Sequence, residues 1–136
     1  MNILEQIRTF IAQCPFLEDG CIHLDYLDDQ VYGYVLEGVP AAEVVRRYAD
    51  EGSVRRYEFV FGARLPYGSG QTAQNHLFYQ QFSQWLEQQS KAGNFPELGE
   101  GKCPHSIAAL SHGYLFDGDG NCARYQIQCE LEYYQE

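Results

Sequence analysis

The chain has 136 residues, 45% of them hydrophobic, and a formal net charge of −10 with a pI near 4.7. That length suits one domain over 1–136 with a real core, and the acid excess excludes a general nucleic-acid surface, which needs Lys and Arg against phosphates. No apolar run reaches membrane-helix length. Five cysteines, an odd number without a C-x-x-C pair, and a start, "MNILEQIRTF", unlike a signal peptide are expected of reduced thiols in a cytoplasm.

The first predicted element is a helix, because Ile3, Leu4, Ile7, Phe10 and Ile11 recur at spacings of three and four. Asn2 is placed to cap it, Glu5 stands where a capping-box acid belongs, and Pro15 ends it. "CIHLDYL" alternates through Ile22, Leu24 and Tyr26, and "VYGYVL" through Tyr32, Tyr34 and Leu36; with Asp28 and Asp29 between them, the pattern predicts a first hairpin. A second hairpin is expected over 43–64, turning at Asp50-Glu51-Gly52-Ser53, with Tyr57, Phe59, Phe61 and Ala63 on one face.

After the loop "LPYGSG" comes the main helix, "TAQNHLFYQQFSQWLEQQSKAGN". Its buried stripe is expected to be Phe78, Phe82, Trp85 and Leu86, with Lys91 at its negative end and Gly93 as a left-handed stop. A last hairpin spans 106–134. In its closing strand the odd residues Ala123, Tyr125, Ile127, Cys129, Leu131 and Tyr133 oppose the even Arg124, Gln126, Gln128, Glu130 and Glu132, a period of two with one buried face. At about twelve residues this strand exceeds the typical five or six, so part of it is expected to project beyond the sheet. The elements predict an α+β fold: an antiparallel or mixed sheet of about six strands, in the order α-β-β-β-β-α-β-β, with two helices packed on one face.

The run Asp117-Gly118-Asp119-Gly120-Asn121 offers the first three ligands of a calcium loop. It then places Cys122 where the loop needs Gly and Gln128 where it needs a bidentate Glu. The better reading is a hairpin turn, with Gly118 and Gly120 taking positive φ. Other chemistry is thin. "GSG" at 68–70 lacks the Lys and Ser/Thr of a phosphate loop, and no G-x-S-x-G or H-E-x-x-H occurs. The four histidines are scattered, and Cys103 with His105 has no second ligand pair for zinc. "HGYLFDG" at 112–118 is one residue longer than the H-x-x-x-D-G motif of chloramphenicol-acetyltransferase-like enzymes, and in a strand a one-residue slip turns a side chain to the other face. Catalytic, cofactor-binding and metal residues are therefore expected to be none.

Charge is distributed unevenly. Residues 43–64 set five arginines against four acids, a net of +1, leaving four basic and fifteen acidic residues, −11, for the rest. Arg46, Arg47, Arg55, Arg56 and Arg64 are one of two things. They are a solvated edge that discourages stray strand pairing, or a basic surface complementary to the acidic body of another copy, which would fix register and partner choice. The twenty aromatic rings favour surfaces that are part buried and part wet, as at subunit contacts.

The segments "LEQIRTFIAQCPFL", "FYQQFSQWLEQQSKAGNFPEL" and "GYLFDGDGNCARYQIQCELEYYQE" resemble a family of small proteins encoded in prophages of gut Firmicutes, among the genes for head-tail joining and the tail tube. The likeness covers nearly the whole chain, and its final segment is the most specific. Similar chains are described as minor capsid or minor tail proteins; some carry a chloramphenicol-resistance label that the His112 to Asp117 spacing argues against. The element order is similar to that of tail terminator proteins of long-tailed phages, which have an α+β fold and cap the tail tube as hexameric rings. The resemblance implies a non-enzymatic virion structural protein, a tail terminator or tail completion protein. Its implied partners are further copies of itself in a hexameric ring, the tail tube protein and the head-tail connector proteins. It would reside in the host bacterial cytoplasm during assembly and then in the virion tail. The alternatives are a head-tail connector or minor capsid protein, a small acidic host binding module, and an acyltransferase.

Overall fold

The computed structural model describes residues 2–17, 22–25, 27, 33–40, 44–68, 70–119 and 122–136, except the side chains of Val44 and Asp119. In chain order the elements are α1 (Ile3–Ile11), β1 (Ile22–Leu24), β2 (Tyr34–Gly38), β3 (Val44–Arg47), β4 (Ser53–Pro66), α2 (Thr72–Ala92), β5 (Lys102–Ala109), β6 (Tyr114–Asp119) and β7 (Cys122–Gln135). Two helices and a mixed seven-stranded sheet make an α+β fold.

Its centre is a ribbon of two 14-residue strands, β4 and β7, antiparallel and in register from Ser53↔Gln135 to Pro66↔Cys122. The closing strand does not project beyond the sheet, because β4 matches it along its whole length. Each outer edge of the ribbon is covered by two strands laid end to end. β2 and β3 lie along β4, and β6 and β5 along β7. The last hairpin is thus broken at Leu110–Gly113, which raises the expected six strands to seven. The break is held by Leu110 N–H donating to Gln128 O (2.7 Å) and Gln128 N–H donating to Ser111 Oγ (3.1 Å).

Alternation then decides the faces. From Phe59 to Leu65 in β4 and from Ala123 to Tyr133 in β7, the odd residues are all buried. They pack beneath α1 and α2 with Tyr34, Leu36 and Ile107. Rings make much of this layer: Phe61 stacks on Phe82 (4.6 Å between centroids), Tyr34 on Phe61 (5.7 Å), and Phe10 of α1 meets Trp85 of α2 (5.3 Å). The capping box of α1 is present, with Glu5 N–H donating to Asn2 Oδ1 (2.9 Å) and Asn2 N–H donating to Glu5 Oε1 (3.4 Å). Gly93 ends α2 at φ 77°, and Asn94 N–H closes back on Gln89 O (2.9 Å).

Three expectations need correction. The first hairpin is a parallel pair, Ile22↔Tyr34 to Leu24↔Leu36. Strand β1 ends at Leu24, and Asp25 takes a left-handed φ of 66° and donates its N–H to Leu36 O (2.9 Å). The expected turn at Asp28-Asp29 lies outside the described residues. The stripe of α2 buries Phe82, Trp85 and Leu86 as expected, but at its start Tyr79 is fully buried and Phe78 only half so. Finally, Gly118 is a strand residue paired with Ala123 and carries no positive φ; Gly120 and Asn121, between the paired Asp119 and Cys122, are outside the described residues.

Polar bonds fix α2 on the sheet. The buried Tyr79 hydroxyl donates to Tyr125 O (2.7 Å), Asn75 Nδ2 donates to Pro66 O (2.8 Å), and Ser90 Oγ donates to Ile107 O (2.6 Å) while accepting from Ile107 N–H (3.0 Å). Gly113 passes so close to α2 that a Cβ there would lie 2.4 Å from Tyr79 Cβ.

Candidate subunit interface

The second hairpin, β3–β4, forms as its sequence predicts. Glu51 turns the chain at φ 72°, Asp50 Oδ1 accepts from Gly52 N–H (3.1 Å), and Tyr48 N–H donates to Gly52 O (2.8 Å). Tyr134, across β4 on β7, lies on this tip, its ring centroid 6.1 Å from that of Tyr48. A Cβ on Gly52 would fall 1.9 Å from the Tyr134 hydroxyl oxygen, so the glycine makes room for the ring. Desolvation first, then the negative charges of Asp50 and Glu136, pushes the Tyr134 phenol up.

The five arginines do not form one patch. Arg46 and Arg47 stand on β3, both exposed, and make no ion pair among the described residues. Arg55 is half-buried and donates from Nε to Ser53 Oγ (3.1 Å). Arg56 is spent within the subunit, pairing with Glu58 (3.6 Å) and Glu130 (3.3 Å). Arg64, opposite Arg124, is eight residues further along β4, roughly 26 Å away. Only Arg46 and Arg47 therefore keep the character of a free basic surface.

The sheet face away from the helices is a mesh of polar side chains from the even positions of β4 and β7 and their partners on neighbouring strands. Arg124 pairs with Glu37 of β2, donates from Nε to Gln126 Oε1 (3.1 Å), and lies over the Phe116 ring (4.8 Å to the centroid). Gln126 donates to the Tyr114 hydroxyl (2.8 Å), and His105 meets Glu132 (2.9 Å). Beneath this mesh Val35 and Val60 are buried, at 0% and 8% exposure, on the side of the sheet that carries no helix. The mesh was not legible from spacing, because its partners come from distant strands.

At the other end, β6 carries Leu115, Phe116 and Asp117, all exposed. Asp117 and Asp119 are residues of β6 paired with β7, where a calcium loop would stand between helices. Among the described residues no group of three or more His, Cys, Asp or Glu side chains could hold a metal, and no helix is long and apolar enough to cross a membrane.

A cleft of about 410 Å³ lies between α2 and the β5–β6 break, lined by His76, Tyr79, Ser83, Ser111 and His112, among others. Two of its hydroxyls serve the backbone: Tyr79 donates to Tyr125 O, with its phenol pushed well up by burial, and Ser111 donates to His112 O (2.9 Å). Of the motif weighed against the acetyltransferases, His112 lies in this break and Asp117 on β6 beyond it. The free thiols Cys14 and Cys129 are buried and pushed up by desolvation, whereas Cys103 is exposed. Compared with known proteins, the chain matches no family model and no curated protein.

Proposed function

We propose that this chain is a non-enzymatic structural protein of a bacteriophage, a tail terminator or tail completion protein that works as a ring of copies at the head-proximal end of the tail. The observation that carries the reading is the pair Arg46 and Arg47, without an ion pair among the described residues and exposed at one corner of a body whose net charge is −10. A charge left unspent inside the subunit is available to choose a partner and set its register. The phage assignment rests on the resemblance of the three segments quoted above, and the α+β fold is compatible with it.

On this reading the partners are other copies, six to a ring, then the tail tube protein below and the head-tail connector above. The ring then stops tube growth and presents a surface to the head. Deleting the gene from the phage that carries it tests the role. Tails that grow past their normal length, beside unattached heads, are the expected result. Normal-length tails left unattached would transfer the role to the connector, and intact infectious particles would overturn the reading.

A further inference from the structure

Two diagonally opposite corners of the sheet display the same device with opposite charge. At the β3–β4 corner the register shifts between Val44 and Arg46, and the intervening Val45 is 45% exposed beside Arg46, Arg47 and the half-exposed Tyr48. At the β6–β7 corner the shift falls between Leu115 and Asp117, and the intervening Phe116 is 57% exposed. Like Arg46 and Arg47, Asp117 is exposed and makes no ion pair among the described residues. A bulge re-aims a side chain out of the strand's alternation, so each corner presents an apolar knob beside an unspent charge.

We infer, resting on the assembly reading above, that the β6–β7 corner of one copy receives the β3–β4 corner of the next. Arg46 or Arg47 pairs with Asp117 in a charge-assisted hydrogen bond, while Val45 and Tyr48 cover Leu115 and Phe116. The Phe116 ring already takes one guanidinium, that of Arg124, and an arginine is a chemically suitable cover for its remaining exposed surface. The occupant is a second copy because the two corners complement each other in charge and match in apolar character. The contact is made by side chains, since bulged edges disfavour strand-to-strand addition. Its two halves differ, so it repeats head to tail and yields a ring when the rotation closes.

Sedimentation velocity of the full chain, over a concentration series at low and high salt, tests the pairing. The mass should rise with concentration at low salt and fall when salt is added. The double variant Arg46→Glu/Arg47→Glu and the variant Asp117→Lys should each stay monomeric where the unaltered chain associates, with unchanged near-ultraviolet circular dichroism and Tm. An equimolar mixture of the two should associate again, because the reversed corners complement each other. An unaltered chain that stays monomeric at millimolar concentration and low salt, association that neither variant reduces, or a mixture that stays monomeric would each overturn the pairing. Association untouched by both variants would sink this contact and leave the tail role standing. Normal tails in a phage lacking the gene would sink the tail role whatever the sedimentation shows.

Discussion

The two faces of the β4–β7 ribbon are built from alternating residues of the same strands and are held by different forces. The odd face buries Phe59, Phe61, Tyr125, Ile127 and Leu131 under two helices. The even face lies open to its own side chains, a mesh of part-exposed pairs such as Arg56 with Glu130 and Arg124 with Glu37. Burial of aromatic and aliphatic surface carries stability, while part-exposed ion pairs add little. The lesson is a separation of duties: one face fixes the shape, and the other face and the corners can be altered at small cost to folding.

The largest effect should come from the covered face. Phe61→Ala removes a ring stacked on Tyr34 and Phe82 and should cost about 3–5 kcal/mol in chemical denaturation. A loss under about 1 kcal/mol would remove the distinction between the faces.

Alkaline pH acts on the same layer. Cys129 and Tyr79 are held neutral by burial, so the unfolded chain gives up these protons before the folded one does. Their contribution is complete below the ordinary thiol and phenol pKa values and is lost as pH rises through them, by up to about 1.4 kcal/mol per pH unit for each group. Denaturation curves between pH 7 and 11 should show the decline, and Cys129→Ala should flatten part of it. An unchanged slope in that variant would exclude the thiol as a cause.

The open face should respond least. Glu130→Gln leaves Arg56 its pairing with Glu58 and should change stability by less than about 1 kcal/mol. A loss comparable to that of Phe61→Ala would mean that this face, too, holds the fold together.

What the sequence reveals follows the range of each interaction. The capping box of α1 involves residues three apart, and the strand period of β7 is written in consecutive side chains, so both are legible. Periodicity assigns a face to a residue but does not name its neighbour. Nothing near Ile22 reveals that it lies parallel to Tyr34. Adjacent aromatics on α2 compete for one stripe, and the hydroxyl bond to Tyr125 O across 46 residues places Tyr79 in the core rather than Phe78. The arginines show the same limit. Arg56 is matched with an acid on β7, while Arg46 and Arg47, one strand further out, are left unmatched among the described residues. Sequence marks all five as basic and cannot say which are already satisfied.

Cryo-electron microscopy of tails from the phage that carries this gene would test most directly that the chain acts as an assembled piece. The expected map has a closed ring of this fold at the head-proximal end of the tube, with each β3–β4 corner seated on its neighbour's β6–β7 corner. A tail whose density from connector to tip is fully accounted for by other proteins would contradict that claim.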